Sequence, residues 1–358
     1  MVSASGGKLG ATVEGQGNVA AGDIETNGNA NLHMGAGTYT DAQAAAQATG
    51  NDSMATGIFA TVASGVTGGS AYGSSSDVTG TNGTAIGYSA LAGKNATAIG
   101  FTAQAKGSNS VAIGYGSLAN GEGDTVVGDP NTVSGNESTV VGDENSINGD
   151  HSGAYGYETN IMGDNDYVVG NNNTVNGAGN SEVGTQDKIS GNNDAVVGNN
   201  DSVASNNTAV LGNNITVAQG NDNSVVLGNG STASGPDTVS VGSPGDERRI
   251  TNVAPGISGT DAANMNQLNS VSSRLSSQIL HLNQSMGYGI AGATALAEIP
   301  GLSEGRKFSL GVGVGSFDGF QALAVNANMR VGSNLQLRAG ASISGGISTF
   351  GTGLSYSW

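Results

Sequence analysis

Cysteine is absent from the 358 residues, proline occurs only five times, aromatic residues make up 4% and charged residues 11%. Without cysteine there are no disulfides and no thiolate chemistry, which suits a chain exported unfolded through a narrow pore. So little bulky apolar side chain excludes a globular core for a protein of this length; burial has to be spread thinly along stacked repeats. Basic residues are scarce too, 11 Lys plus Arg against 28 acids for a formal charge of −17. That balance argues against nucleic acid as a partner and against docking on an anionic membrane surface. No run of about 18 apolar residues occurs, so no hydrophobic transmembrane helix is expected. Met1-Val2-Ser3-Ala4-Ser5 has neither a basic n-region nor an apolar h-region, so no signal peptide is expected in this chain.

What the chain does have is glycine, 62 residues of it, much of it on a clock. Gly73, Gly87, Gly100, Gly114, Gly128, Gly142, Gly156, Gly170, Gly184, Gly198, Gly212, Gly228 and Gly242 are almost always fourteen residues apart. The preceding residue is aliphatic in nearly every copy, from Ile86, Ile99 and Ile113 to Leu211, Leu227 and Val241, and reads as an inward-facing strand position. A second series runs half a period later through Leu91, Ala105, Ala119, Val133, Ile147, Ile161, Val175, Ile189, Val203 and Val217. Gly, Asn, Asp and Ser lie between the two, residues that accept turned or left-handed backbone cheaply. Two short strands and two turns per repeat make one coil of a β-solenoid, an elongated scaffold with coils stacked about 4.8 Å apart and no obvious pocket.

After Val241 the clock stops. Arg248 and Arg249 follow Asp246 and Glu247 and are expected to pair with those acids. From Thr260 the pattern turns helical: Leu268, Val271, Leu275, Ile279, Leu282 and Met286 are spaced by three, four, four, three and four, a coiled-coil seam with a stutter. Ala291-Gly292-Ala293-Thr294-Ala295 then supplies small side chains fit for a helix in a confined space. The last fifty residues alternate: Phe308, Leu310, Val312 and Val314 against Ser309, Gly311, Gly313 and Gly315, with further strands through Leu323–Val331, Leu335–Ile343 and Phe350–Trp358. Strands of about 9 to 12 residues cross a bilayer when tilted, and Phe350, Tyr356 and the single tryptophan, Trp358, suit an interfacial aromatic girdle. Four strands cannot close a membrane barrel, and open edges are forbidden in lipid. Three chains with four strands each would make a twelve-stranded barrel wide enough for helices, in keeping with the coiled coil.

At this point the chain resembles the YadA-like family of trimeric autotransporter adhesins, from about Ser53 to Trp358. Gly245-Asp246-Glu247-Arg248-Arg249-Ile250-Thr251-Asn252-Val253-Ala254-Pro255-Gly256, continued through Thr260, Asp261, Asn264, Gln267 and Leu268, is similar to the family's neck, although Ala263 stands where the family usually carries valine. The resemblance implies a mostly β homotrimer on a Gram-negative surface. Its head would be a left-handed parallel β-roll, followed by a neck, a short trimeric coiled coil and a shared transmembrane β-barrel. In this chain the divisions fall at 1–49 (an irregular cap), 50–242 (head), 243–268 (neck), 269–287 (stalk) and 288–358 (anchor). The resemblance also implies outer-membrane lipid and the barrel-assembly machinery as partners, and export through the anchor's own lumen, where Gly311, Gly313, Gly315, Gly340, Gly345 and Gly346 would let unfolded chain pass. Function would be adhesion to a host matrix protein such as collagen; self-association between cells, with biofilm formation, is the alternative. The family's collagen-linked motif matches Asn109-Ser110-Val111-Ala112-Ile113-Gly114 with Ser117, which is also one ordinary copy of the repeat.

Other chemistry finds little support. His33, His151 and His281 are far apart with no ligand spacing, and no metal or cofactor is expected. Asp129, Asp143 and Asp164 follow repeat glycines, but the nine-residue calcium-roll pattern is missing, and they read as solvated turns. Gly15-Gln16-Gly17 and Gly311-Val312-Gly313 do not lead from a strand into a helix and are not phosphate loops. A left-handed β-helix acyltransferase would need a six-residue period and a histidine beside a basic pocket; here the period is fourteen, and no enzyme is expected. Glu182 stands where other repeats carry Ala or Val, and the sequence gives no reason for it. Buried at a threefold axis, three such carboxylates would raise one another's pKa.

Overall fold

A computed structural model of the chain describes residues 32–34 and 46–358. Most of the cap read at 1–49 lies outside the described residues, as does Gly15-Gln16-Gly17. The chain divides into two compact units, one ending at Arg248 and the other running from Arg249 to Trp358.

The first unit is the solenoid. In most coils one strand runs up to the marker glycine, as in Val111–Ile113, or through it, as in Thr139–Asp143, and a two-residue strand begins four residues after the glycine, as in Leu118–Ala119. All strand pairs are parallel between successive coils, giving among the described residues one sheet of fifteen strands and one of thirteen. Leu32–Met34 and Gln47–Ala48 already belong to the stack, pairing with Met54–Thr56 and Thr61–Val62. The marker glycines are one of two places in each coil where backbones approach closely: a Cβ on Gly142, whose φ is +135°, would lie 1.9 Å from the Gly156 carbonyl oxygen. Turns take asparagine in the left-handed region, as at Asn109, Asn165 and Asn200.

The interior is a narrow double column. The second series of the sequence reading does point inward, from Ala105 through Ile147 and Ile161 to Val217. Leu91 is the exception: the coil from Gly87 to Gly100 is one residue short, and Ala92 takes the inward place. The first series is corrected. The residues before the marker glycines face outward, with Val141 42% and Leu211 56% exposed, while the residue before each, Ala112, Val126, Val140, Val168 or Val196, is buried. A three-residue strand has one inward side chain, the middle one, and the cramped coil admits Ala or Val there more readily than Ile or Leu. The displaced aliphatics form an outward column in continuous register: Ile99 pairs with Ile113, Ile113 with Val127 and Val127 with Val141.

The second unit begins with irregular chain and enters a single helix, Met265–Ala297. At about 1.5 Å per residue its 33 residues span about 50 Å. Stalk seam and small-residue segment are therefore one continuous helix. Four antiparallel strands follow, Phe308–Phe317, Phe320–Val331, Leu335–Ser344 and Ile347–Tyr356, in sequential order with both edges unpaired within the chain. The small face of the sheet packs on the end of the helix, burying Ala291, Ala295, Ile299, Ala322 and Ala324. Its apolar face, Leu310, Val312, Val314, Leu323, Val325 and Phe350, is exposed. A soluble sheet would pack the other way round.

Candidate functional site

In the coil carrying the motif from Asn109 to Ser117, backbone alternation sorts the residues into two groups. Ser110, Ala112 and Ser117 are fully buried. Ser110 donates to the Gly107 carbonyl at 2.7 Å, closing its own turn, and Ser117 donates to the Gly128 carbonyl, tying its coil to the next. Val111, Ile113 and Gly114 are half-buried on the sheet surface, and Asn109 is exposed in a left-handed turn with φ 61°. The Asn109 amide belongs to an external ladder, accepting from Asn95 at 3.1 Å and donating to Glu122 at 3.4 Å. A ligand could touch Asn109 and the edges of Val111 and Ile113, and no other side chain of the motif.

The roll has two unlike outer faces. Beside the aliphatic column the first sheet presents little charge. The second sheet presents Gln104, Thr132, Ser146, Asn160, Thr174 and Lys188. Asp143 accepts the Asp129 N–H at 2.9 Å and Asp164 the Asp150 N–H at 2.8 Å, so these turn acids serve coil-to-coil bonding. Among the described residues no cluster of His, Asp and Glu could hold a metal ion. An aromatic column went unread in the sequence: Tyr88, Phe101 and Tyr115 follow three successive marker glycines and stack with centroids 5.0 and 5.4 Å apart. The signal was there, at a fixed offset from the clock.

Arg248 pairs with its neighbouring acid and also bonds well beyond it. Arg248 donates to the Ser231 hydroxyl at 2.8 Å, the Val241 carbonyl at 2.9 Å and the Asn229 carbonyl at 2.6 Å, closing the last coils; Asp246 is 3.9 Å away. The expected ion pairing is present for Arg248 and Asp246 but long, and shorter bonds to carbonyls add to it, because a solenoid's last coil leaves carbonyls with no coil beyond to bond them. Arg249, Ile250 and Thr260 are exposed, and Asn252 is left-handed with φ 62°. Asp261 accepts the N–H groups of Ile257 and Ser258, both at 2.9 Å, which holds its carboxyl below the usual range. Asn264 caps the helix in a reciprocal box with Gln267, and its amide also donates to the Val253 carbonyl at 3.1 Å.

Along that helix Leu268, Val271, Leu275, Ile279, Leu282 and Met286 are all exposed. In the anchor, a Cβ on Gly313 would lie 2.3 Å from the Ala295 carbonyl oxygen and one on Gly315 2.4 Å from the Ala295 nitrogen. These glycines make room for the resident helix as well as for any passing chain. Gly346, by contrast, faces open space. Arg338 donates to the Leu296 carbonyl in the last helical turn, a cation at the negative end of the helix. Phe350, Tyr356 and Trp358 are strongly exposed. Among the described residues no helix is long and apolar enough to cross a membrane; the candidate membrane-crossing elements are the strands.

Apolar surface left bare on strands and helix alike defines a self-assembling display scaffold with its own membrane anchor. The comparisons agree. The YadA head domain repeat matches twice, at residues 92–117 and 220–243. The coiled stalk of trimeric autotransporter adhesin matches residues 249–291, and the YadA-like membrane anchor domain residues 300–358. Among solved structures, the crystal structure of the collagen-binding domain of the Yersinia adhesin YadA is similar over 68% of this chain and 97% of that chain, at 18% identity and a TM-score of 0.24. An overlay that loose carries no argument. With head repeats, stalk and anchor in that order, the chain is a YadA-like trimeric autotransporter adhesin. These families are those of structural adhesins and not of enzymes.

Proposed function

We propose that the protein attaches its bacterium to host extracellular matrix, with three copies of the head displaying repeated weak contacts so that avidity replaces a deep pocket. The observation that carries this reading is the sidedness of the roll: one face carries a column from Ile86 to Leu227 that is aliphatic except at Tyr155, and the other is polar apart from Leu91 and Leu118. The aliphatic column of each chain meets those of two other copies, leaving the polar faces and the external asparagine ladders to the ligand. The exposed helical seam closes as a three-stranded coiled coil and the unpaired strand edges close as one barrel. On this reading the head extends to about residue 242, the neck to 268 and the stalk to 287, with the anchor beyond. A collagen-like matrix protein is the partner, reached through the Asn109 turn and its neighbours.

Bacteria displaying the full-length chain, tested on immobilised collagen and other matrix proteins, provide the check. Binding that Asn109→Ala together with Asn95→Ala reduces several-fold, with surface display unchanged, is the expected result. Co-aggregation restricted to expressing cells, with no matrix binding, would replace host attachment by self-recognition.

A further inference from the structure

Inside the head, two corners of the coils from about Ser110 to Thr208 carry a buried polar side chain. One ladder runs through Ser138, Ser152, Asp166, Asn180, Asp194 and Thr208, the other through Asn145, Thr159, Asn173, Asp187 and Asp201. Where the residue is Asn or Ser it does two things. Its oxygen accepts the N–H of its counterpart fourteen residues on, as Asn173 does from Asp187 at 2.9 Å and Asn180 from Asp194 at 2.9 Å. Its own hydrogen goes to the carbonyl eleven residues on: Asn145 to Gly156 at 2.7 Å, Asn173 to Gly184 at 3.0 Å, Ser138 to Gly149 at 3.0 Å.

The aspartates keep the first bond. Asp166 accepts from Asn180 at 2.8 Å, Asp187 from Asp201 at 2.7 Å, Asp194 from Thr208 at 2.8 Å and Asp201 from Ile215 at 2.7 Å, each through Oδ1. In all four, Oδ2 is buried without a partner. It occupies the place of the asparagine nitrogen. A Cβ on Gly170 would meet the Gly184 carbonyl oxygen at 1.6 Å and Asn173 Nδ2 at 3.2 Å; on Gly184 it would meet the Gly198 carbonyl oxygen at 1.7 Å and Asp187 Oδ2 at 2.3 Å. An ionised carboxylate there would set two acceptors face to face with no hydrogen between them. Asp124 marks the contrast: its Oδ2 accepts the Gly121 N–H at 2.7 Å and needs no proton of its own. Glu182 adds a fifth acid, only 1% exposed, with neither oxygen bonded and its carboxyl beside that of Asp187.

We propose that in mildly acidic medium Asp166, Asp187, Asp194 and Asp201 are neutral acids in the folded head, donating to the carbonyls of Gly177, Gly198, Ser205 and Gly212, and that Glu182 donates to Asp187, so that these coils take up protons from water as they fold. The position calls for a donor, and Asn, Ser, Thr and protonated Asp are alternative ways to supply one. Glu182 is buried within its own coil, which corrects its conditional placement at a threefold axis. The charged groups facing these acids push the same way: Asp164 acts on Asp166, Asp222 on Asp194, Asp187 on Asp201, and Asp187 with Asp201 on Glu182. Lys188, next to Asp187 in the chain, faces solvent. Burial pushes Asp166, Asp194 and Asp201 up to about 6 and Glu182 up to about 9, and raises Asp187 as well. Folded values above unfolded ones mean that the stabilisation is full below about pH 4. It falls as pH rises to about 6 for the aspartates and to about 9 for Glu182.

The test is amide hydrogen exchange, corrected for intrinsic rates, on the full-length trimer in outer membranes at pH 5, 7 and 9, with infrared spectra of the same samples. Protection across residues 160–217 is expected to fall by at least about tenfold between pH 5 and 9 relative to residues 92–119, as the loss of one proton per pH unit requires. A protonated-carboxyl band should fade in parallel. D201N and D187N supply a permanent donor and should flatten the profile, whereas D143N at an exposed turn should not. A flat wild-type profile with no protonated-carboxyl band would overturn the proposal. So would loosening by a chelator at constant pH, which would put a cation where the protons are assigned.

Discussion

In the coils of the head, Val140 and Ile147 point inward while Asn, Asp and Ser line the turns; in the anchor, Gly311, Gly313 and Gly315 point inward while Leu310, Val312 and Val314 point out. Both regions are β-structure rich in glycine, and both alternate with period two. They differ in what lies beyond the outward residue. For the head it is water or another copy, and for the anchor it is lipid. Glycine differs as well. In the head it lets backbone meet backbone between coils, and in the anchor it lets a helix lie against a sheet. Residue type alone therefore does not say which face is inside.

The largest effect is expected where the anchor's inward face is filled. Gly315→Leu should abolish the heat-modifiable trimer on unboiled gels of outer-membrane fractions, whereas Val312→Leu, on the exposed apolar face, should leave it intact. A normal trimer from the first variant would mean that the helix does not pack where the glycines admit it. Next comes the head interior. Ile147→Ala, at a fully buried site, should cost about 2–5 kcal/mol, seen as lost exchange protection in the adjacent coils. Val141→Ala, outward on the aliphatic column, should spare the coil and weaken association between heads. The smallest effect concerns the junction before the helix: Asn264→Ala removes a cap worth about 0.5–2 kcal/mol, readable as faster exchange in the first turn after Met265.

Most of the architecture was legible because its signals are local and repeated. The glycine clock marks one close approach per coil, the spacing from Leu268 to Met286 marks the seam, and the alternation from Phe308 onward marks the strands. What misled was parity. Ile113 reads as core because it is the bulkiest apolar residue of its repeat, yet Ala112 takes the interior. Arg248 reads as half of an ion pair because Asp246 and Glu247 are adjacent; the pair to Asp246 forms, but the shorter bonds go to carbonyls of the last coils. Glu182 could be singled out as an anomaly, but its neighbour Asp187 lies at a corner just before the second strand of its coil and meets it only when the coil closes.

By itself the sequence determined the repeat, the two kinds of β-region, the helix between them and the need for more than one chain, because periodicity, strand length and unpaired edges follow from backbone geometry that every residue shares. Only the tertiary structure decided which alternate residue faces inward and which buried oxygen lacks a hydrogen. Both depend on where a coil closes on itself and what the next coil presents across about 4.8 Å. A linear chain does not contain that distance.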